Sequence, residues 1–119
     1  GWETRETPLL LPEALGAAPG SYGAILVDCL TMWLANLMLR EDLAAGDLKA
    51  AGERLLAQLN RVRTPTIFIS NEVGLGIVPE GPLARQYRDW LGWLHQQVAA
   101  AADLVVLVVA GLPLIIKGQ

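Results

Sequence analysis

Polar side chains follow two apolar runs of the chain, at the points where buried strands are expected to end. Asp28 closes the run at residues 24–28, and Asn71 and Glu72 come directly after the run at residues 66–70. If both runs are parallel strands, their carboxyl ends meet at one edge of the sheet, where ligands bind in open α/β folds. A carboxylate at such a strand end can bind a magnesium ion on a phosphate, or the waters of that ion. These residues are therefore typical of half of a nucleotide site.

The sequence does not contain the other half of such a site. A phosphate-binding loop needs a glycine-rich turn that ends in Lys-Ser or Lys-Thr, and neither Lys49 nor Lys117 follows such a turn. The single histidine, His95, has no second histidine or cysteine beside it, so we expect a solvated surface side chain and no metal site there. A structural alternative stays open for the loop, in which Asn71 and Glu72 only satisfy backbone groups of a turn.

Strands and helices are expected to alternate along the chain. Three apolar runs without polar alternation predict strands buried on both faces, at residues 24–28, 66–70 and 104–109. Helical spacing of apolar residues predicts helices at residues 30–40, from about 47 to the Thr64-Pro65 pair, and about 82–102. Residues 114–117 are expected to return as an edge strand. The pattern predicts a single α/β domain over residues 1–119, with a mostly parallel sheet and helices on both faces.

Four side chains of these elements are expected to have structural roles. Thr31 is expected to cap the first of the three helices, and Asn36 inside that helix needs a hydrogen-bond partner if it is buried. Cys29 is expected to be a small buried core residue. Trp93 lies off the main apolar stripe of the last helix and is a candidate for a subunit contact.

Composition limits the classes of function. Of the 119 residues 53% are hydrophobic and 18% charged, which is typical of a folded chain with either a doubly covered sheet or apolar surface for another subunit. The net charge of -3 disfavours nucleic acid as a partner. The apolar runs at residues 24–39 and 104–116 are too short to predict a membrane span. One cysteine allows no internal disulfide and favours a reducing compartment, the cytoplasm.

Several separate stretches resemble one family, the bifunctional adenosylcobinamide kinase/adenosylcobinamide-phosphate guanylyltransferases of cobalamin synthesis. They are WETRE at residues 2–6, LVDCLTMWLANL at 26–37, SNEVGLGIVP at 70–79, LARQYRD at 83–89 and VAGLP at 109–113. They occur in the order found in the family and cover essentially the whole chain. The chain is therefore similar to this family along nearly all of its length.

The resemblance implies a fold and two reactions. The fold is P-loop NTPase-like (RecA-like), with a mostly parallel sheet and an oligomeric assembly, here expected to be a homo-oligomer. In the first reaction, ATP or GTP with magnesium phosphorylates the aminopropanol hydroxyl of adenosylcobinamide. In the second, GTP places GMP on a histidine, and this group passes to the phosphorylated corrinoid to give adenosylcobinamide-GDP. A neutral histidine nitrogen is nucleophilic near pH 7, which suits it to carry the group.

The resemblance also assigns residues. It implies that Glu6 and Asp28 bind the nucleotide, that Asp28 binds magnesium directly or through water, and that Thr31, Asn71 and Glu72 lie near the substrate or phosphate. The family's phosphate loop and guanylylated histidine precede the WETRE stretch, so no catalytic residue is expected within this chain. His95 lies where relatives often have Asn, so it is not expected to be the nucleophile.

We therefore expect the chain to be the carboxyl-terminal portion of such an enzyme, inactive by itself. Two alternatives stay open. One is a non-catalytic protein of the same fold that binds nucleotide or corrinoid, or serves as an assembly partner. The other is an unrelated P-loop kinase that shares only the aspartate at the strand end, which the Asn-Glu-Val-Gly loop disfavours.

Overall fold

The computed structural model describes residues 1–42 and 45–119, and helices alternate with strands in it as the apolar pattern predicts. The helices are α1 (Leu11–Gly16), α2 (Leu30–Met38), α3 (Ala45–Leu59) and α4 (Pro82–Ala101). The strands are β1 (Ile25–Asp28), β2 (Thr66–Ile69), β3 (Val105–Val109) and β4 (Leu112–Lys117). Among these described helices, none is both long and apolar enough to cross a membrane.

The strands β1 and β2 pair in parallel, and α2 and α3 form the connection between them. Ile25 lies opposite Thr66 and Asp28 lies opposite Ile69, so the two strands end at the same level. Parallel neighbours need a long crossover because a tight turn would reverse the chain direction. The carboxyl ends of both strands, and the residues that follow them, therefore share one edge.

The hydrophobic core lies between the helices and one face of the β1–β2 pair. Its buried side chains are Leu11, Leu15, Val27, Leu30, Trp33, Leu34, Leu37, Leu48, Ala51, Leu55, Leu91 and Leu94. Side chains alternate along a strand, so Val27 and Phe68 face this core while Leu26 and Ile67 lie on the opposite face and are exposed. Helices were predicted on both faces. Within the described residues they cover one face, and the second face is apolar but open.

The strands β3 and β4 form an antiparallel hairpin, and in the described residues neither pairs with β1 or β2. Ala110 and Gly111 at the turn have positive φ angles of 51° and 76°, as tight hairpin turns that match the strand twist require. Lys117 Nζ donates to the carbonyl oxygens of Ala99 and Ala100, which fastens β4 to the negative end of α4. The predicted return strand is confirmed, whereas one continuous, mostly parallel sheet is not observed in the residues described.

The start of α2 differs from the prediction. Its cap is Cys29, whose Sγ accepts a hydrogen bond from the amide nitrogen of Met32 at 3.4 Å, and Thr31 lies inside the first turn. Cys29 is half-buried at the helix end and is not a core residue. Asn36 has the partner that was expected, because its Nδ2 donates to the carbonyl oxygen of Pro8 at 3.1 Å. This bond holds the N-terminal segment against α2.

Trp93 belongs to the edge of the core. Its ring stands 5.7 Å from that of Trp90, centroid to centroid, in an edge-to-face arrangement at 84°. The same ring covers Gly52 of α3, where an added Cβ would lie 2.5 Å from its Cζ3 atom. The structure thus places this side chain in the contact of α3 with α4, and a subunit contact through it stays a prediction.

The contact between Gly52 and Trp93 leads to a prediction about the stability of the fold. Gly52→Ala should destabilise the fold by about 1–3 kcal/mol, because the methyl group overlaps a ring that well-packed neighbours hold in place. Gly92→Ala on α4 is the matched control, since no atom lies within 4 Å of a Cβ there. That change should stabilise by about 0.5–1 kcal/mol through helix propensity. Urea unfolding of both variants checks the prediction, and equal stabilities would contradict it.

Candidate functional site

The carboxyl ends of β1 and β2 form an edge that carries most of the predicted site residues. Asp28 ends β1 opposite Ile69, and Asn71 and Glu72 follow the end of β2. We call this edge, residues 28–31 and 70–74, the strand-end rim. The Asp28 carboxylate is exposed, and within the described part of the chain it has no hydrogen-bond or ion-pair partner. The prediction that these two strand ends meet at one edge is confirmed.

Two hydroxyl groups join the halves of the strand-end rim. Thr31 Oγ1 lies 3.2 Å from Ser70 Oγ and accepts a hydrogen bond from the amide nitrogen of Asn71 at 2.7 Å. Thr31 stands at the start of α2, directly after β1, whereas Ser70 and Asn71 follow β2. The Thr31 hydroxyl therefore holds the loop after β2 against the helix after β1, instead of capping α2.

The Glu72 carboxylate folds back on its own loop. Its Oε1 accepts a hydrogen bond from the amide nitrogen of Gly74 at 2.6 Å, and its Oε2 lies 3.7 Å from His95 Nδ1. Arg88 Nη2 donates to the carbonyl oxygen of Gly74 at 2.8 Å. The alternative that these side chains only satisfy backbone groups of a turn thus holds for one oxygen of Glu72, Oε1. The side-chain amide of Asn71 is different, since it is exposed and has no partner in the described residues.

Tyr87 of α4 secures the rim from the helix side. Its hydroxyl donates a hydrogen bond to the carbonyl oxygen of Thr31 at 2.9 Å. Burial, and secondarily the nearby Cys29 sulfur, raise the pKa of the Tyr87 phenol above its ordinary value. Because the neutral form is favoured, this phenol remains a hydrogen-bond donor to higher pH than an exposed tyrosine would.

His95 is not the solvated surface residue that the sequence predicts. Its Nε2 lies 2.6 Å from Ser70 Oγ, and its side chain is only 23% exposed. On a helical wheel of α4 it falls on the polar flank, beside Arg88. That flank faces the end of β2, and the polar residue Ser70 at the strand end was the signal that could have revealed the contact.

Glycine at position 74 is needed for the position of the Glu72 carboxylate. A Cβ at Gly74 would lie 2.8 Å from Glu72 Oε1, so Gly74→Ala should displace that oxygen from the amide it binds. We expect a loss of about 1 kcal/mol in the free energy of unfolding, the size of one hydrogen bond. Gly76→Ala, where no atom lies within 4 Å of a Cβ, is the matched control. The prediction fails if urea unfolding finds the two alanine variants equally stable.

Glu6 is the predicted site residue that the structure does not join to the rim. It lies on the exposed N-terminal segment, and its carboxylate has no hydrogen bond or ion pair in the described residues. A cavity of about 440 Å³ opens at the opposite end of the sheet, lined in part by Ile25 and Pro65 at the amino ends of β1 and β2. None of the predicted site residues lines that cavity.

The donor set of the rim fits magnesium only in part. No group of three or more His, Cys, Asp or Glu side chains in the described residues is placed to hold a metal ion. Asp28 offers a single exposed carboxylate whose oxygens are not engaged by described neighbours. Magnesium commonly takes one or two carboxylates and completes its octahedron with waters and substrate phosphates. Asp28 is suited to be one such carboxylate ligand. The rim does not offer enough ligands to enclose the ion with protein groups alone.

Comparison with known proteins covers nearly the whole chain. A family model described as cobinamide kinase / cobinamide phosphate guanyltransferase matches residues 1–116. The chain is 44% identical over 118 residues to the bifunctional adenosylcobalamin biosynthesis protein CobP of Pseudomonas aeruginosa, covering 99% of this chain and 67% of the relative. It is 38% identical over 128 residues to the corresponding protein CobU of Salmonella typhimurium, covering 98% of this chain and 70% of that one.

A third relative, the CobU protein of Escherichia coli, is 35% identical over 127 residues, with the same two coverages of 98% and 70%. The chain thus spans about two-thirds of the length of each relative. The motif resemblance is confirmed by these matches. The chain belongs to the cobinamide kinase / cobinamide phosphate guanyltransferase family.

Proposed function

We propose that this chain is the carboxyl-terminal portion of a bifunctional adenosylcobinamide kinase and adenosylcobinamide-phosphate guanylyltransferase. The kinase reaction transfers the terminal phosphoryl group of ATP or GTP to the aminopropanol hydroxyl of adenosylcobinamide. The second reaction transfers GMP from GTP to a histidine that precedes residue 1, and then to the phosphate made in the first reaction. Adenosylcobinamide-GDP and pyrophosphate are the products.

The observation that carries the proposal is the shared rim. Parallel pairing of β1 with β2 brings the Asp28 carboxylate to the same edge as the Asn71 side-chain amide, and neither has a partner in the described residues. An acidic oxygen and an amide at adjoining strand ends suit a phosphate-bound cation and a polar substrate. Family membership over residues 1–116 supports the choice of corrinoid as that substrate.

The proposed roles follow from what each side chain is free to do. Asp28 binds magnesium, directly or through a water, because no described neighbour uses its oxygens. The bound ion supplies charge neutralisation of the phosphate oxygens. Asn71 offers a hydrogen-bond donor and an acceptor to substrate or phosphate, and Glu72 Oε2 is its acidic neighbour. Thr31 and Tyr87 hold the rim in place, and Glu6 meets the nucleotide from the N-terminal segment.

We also propose how the sheet is completed. One edge of β2 and one edge of β3 lack a partner strand in the described residues, and the second face of the β1–β2 pair exposes Leu26, Ile67 and Ile69. A preceding strand that ends in the phosphate loop would pair with β2 and β3, and the rest of the preceding segment would pack on the open apolar face. That arrangement gives the mostly parallel, RecA-like sheet that the family resemblance implies.

The remaining apolar surface supports a homo-oligomer. The free cysteine supports a location in the cytoplasm. Leu75 and Ile77 in the loop after β2 are 79% and 99% exposed, and exposed apolar patches commonly meet another molecule. The half-buried free thiol of Cys29 suits a reducing compartment. We propose a second copy of the enzyme as the partner.

The test uses two proteins, the 119-residue chain and the complete gene product with whatever sequence precedes Gly1. Each is incubated with adenosylcobinamide, magnesium and either ATP or GTP, and the corrinoid products are resolved by mass. We expect phosphorylated and guanylylated corrinoid from the complete protein and neither from the 119 residues. Labelled GTP should also leave GMP bound covalently to the complete protein.

Three results would overturn parts of this proposal. Turnover by the 119 residues alone would refute their dependence on preceding sequence. Absence of both reactions with the complete protein would refute the proposal that it is an enzyme. Nucleotide or corrinoid binding by the complete protein without turnover would favour the alternative, a non-catalytic binding or assembly protein of the same fold.

A further inference from the structure

One face of α4 makes three polar contacts with the strand-end rim. Tyr87 donates to the carbonyl oxygen of Thr31 at 2.9 Å, and Arg88 donates to that of Gly74 at 2.8 Å. Two turns further along, His95 Nε2 lies 2.6 Å from Ser70 Oγ, the shortest of the three contacts. The helix therefore holds both the start of α2 and the loop after β2.

The contact at His95 continues as a chain of hydrogen bonds to the backbone of the rim. Ser70 Oγ lies 3.2 Å from Thr31 Oγ1, and Thr31 Oγ1 accepts the amide hydrogen of Asn71 at 2.7 Å. Each hydroxyl group has one hydrogen to donate and can accept as well. The chain thus runs from the Asn71 amide through Thr31 and Ser70 to the imidazole.

The groups around the imidazole favour one direction for this chain. Nδ1 faces the Glu72 carboxylate at 3.7 Å, and an ionised carboxylate can only accept hydrogen bonds. A neutral imidazole carrying its hydrogen on Nδ1 leaves Nε2 as an acceptor for Ser70. Ser70 then accepts from Thr31, and Thr31 accepts from Asn71. Each contact from the Asn71 amide to Nε2 then joins one donor to one acceptor.

We propose that His95 is a positioning residue of the strand-end rim. Acting through Ser70 and Thr31, it sets the position of the Asn71 backbone and therefore of the Asn71 and Glu72 side chains beside Asp28. Its effect on turnover rests on the proposed function, whereas its effect on the loop does not. A catalytic role is not implied, because Ser70 and Thr31 stand between the imidazole and Asn71, and the other ring nitrogen faces Glu72 at 3.7 Å.

The first test measures the rim without substrate, in the complete gene product. The ¹⁵N spectrum of the His95 ring should show hydrogen on Nδ1 and an accepting Nε2. Amide exchange at Asn71 should become about fivefold faster in His95→Ala, since losing a hydrogen bond of about 1 kcal/mol opens the loop by roughly that factor. His95→Asn keeps a polar group that can bond Ser70, and it should restore most of the protection.

A control and a second variant sharpen this test. Gln96→Ala changes an exposed neighbour on the same helix and should leave Asn71 exchange unchanged. Ser70→Ala removes the middle of the chain while leaving His95 intact, and it should match His95→Ala. The double variant Ser70→Ala/His95→Ala should exchange little faster at Asn71 than either single variant, because both changes break the same chain of hydrogen bonds. Additive effects, or wild-type exchange in both single variants, would overturn the proposal.

The second test measures turnover. His95→Ala should lower kcat for corrinoid phosphorylation by about 10- to 100-fold with little change in KM for the nucleotide, because the groups that orient the reactants are misplaced. His95→Asn should recover most of kcat. If the unsubstituted complete protein has no activity, the proposed function fails, and the exchange test still decides the role of His95. Equal kcat in all variants would refute positioning.

Discussion

Replacing Asp28 by asparagine is expected to abolish most of the phosphoryl transfer by the complete protein. The side chain keeps its size, but the rim loses the one carboxylate at the end of β1, and that carboxylate is exposed without a described partner. Loss of a preorganised electrostatic contact to a transferring group commonly lowers kcat by about 10²- to 10³-fold, and we expect a decrease in that range. Folding should be unaffected, because no described contact is removed.

Asp89→Asn is the matched control for this change. Asp89 lies on the exposed face of α4, so its replacement removes the same negative charge at a position outside the rim. Its activity should equal that of the unsubstituted protein. Rates measured at saturating nucleotide, with magnesium varied, check both variants. Asp28→Asn with near-normal kcat at every magnesium concentration would remove Asp28 from the site.

The largest expected effect on stability comes from Leu91→Ala. Leu91 is 0% exposed at the centre of the α4 face that packs into the core. Truncating a fully buried leucine loses its transfer free energy and leaves a cavity, which together cost about 2–5 kcal/mol. A loss of that size is a large part of the stability of a small domain. Part of the population should therefore be unfolded at 37 °C.

Leu83→Ala tests the same chemical change on the same helix. Leu83 lies in the first turn of α4 and is 55% exposed, so its truncation should change stability by about 0.5 kcal/mol or less. Urea unfolding of both variants gives the difference between the two sites. Similar losses would show that α4 is not anchored through Leu91.

Much of the site could be predicted from the sequence because it depends on order along the chain. An apolar run closed by Asp28, and another followed by Asn71, place both residues at strand ends once the strands are parallel. That inference needs no knowledge of side-chain contacts. The approximate extents of α2, α3 and α4 followed from the helical spacing of their apolar residues.

The contact of His95 with Ser70 was missed because a helical wheel describes one helix in isolation. It separates apolar from polar positions on α4 but does not say which element faces the polar ones. Here the partner is Ser70, 25 residues earlier in the chain. The cap of α2 was missed for a related reason. Thr31 is the better cap by type, but its hydroxyl binds the amide of Asn71, and the sulfur of Cys29 takes the cap position.

The coverage of the sheet could be predicted only in part. Runs without polar residues indicate that both faces of β1 and β2 are suited to burial. They do not indicate which segment covers each face. The described helices of this chain cover one face of the β1–β2 pair. The exposed Leu26 and Ile67 lie on the other face. Pairing of β3 with β4 likewise depended on a turn at Ala110 and Gly111, and not on the apolar run itself.

The edge of β2 that has no partner strand in the described residues has a consequence for how the polypeptide behaves when made by itself. A row of free main-chain amides and carbonyls beside exposed isoleucines is a template on which another polypeptide can add. Copies of the 119 residues should therefore self-associate at high concentration. An upstream peptide supplied in trans should occupy the template, keep the protein dispersed, and restore turnover by fragment complementation.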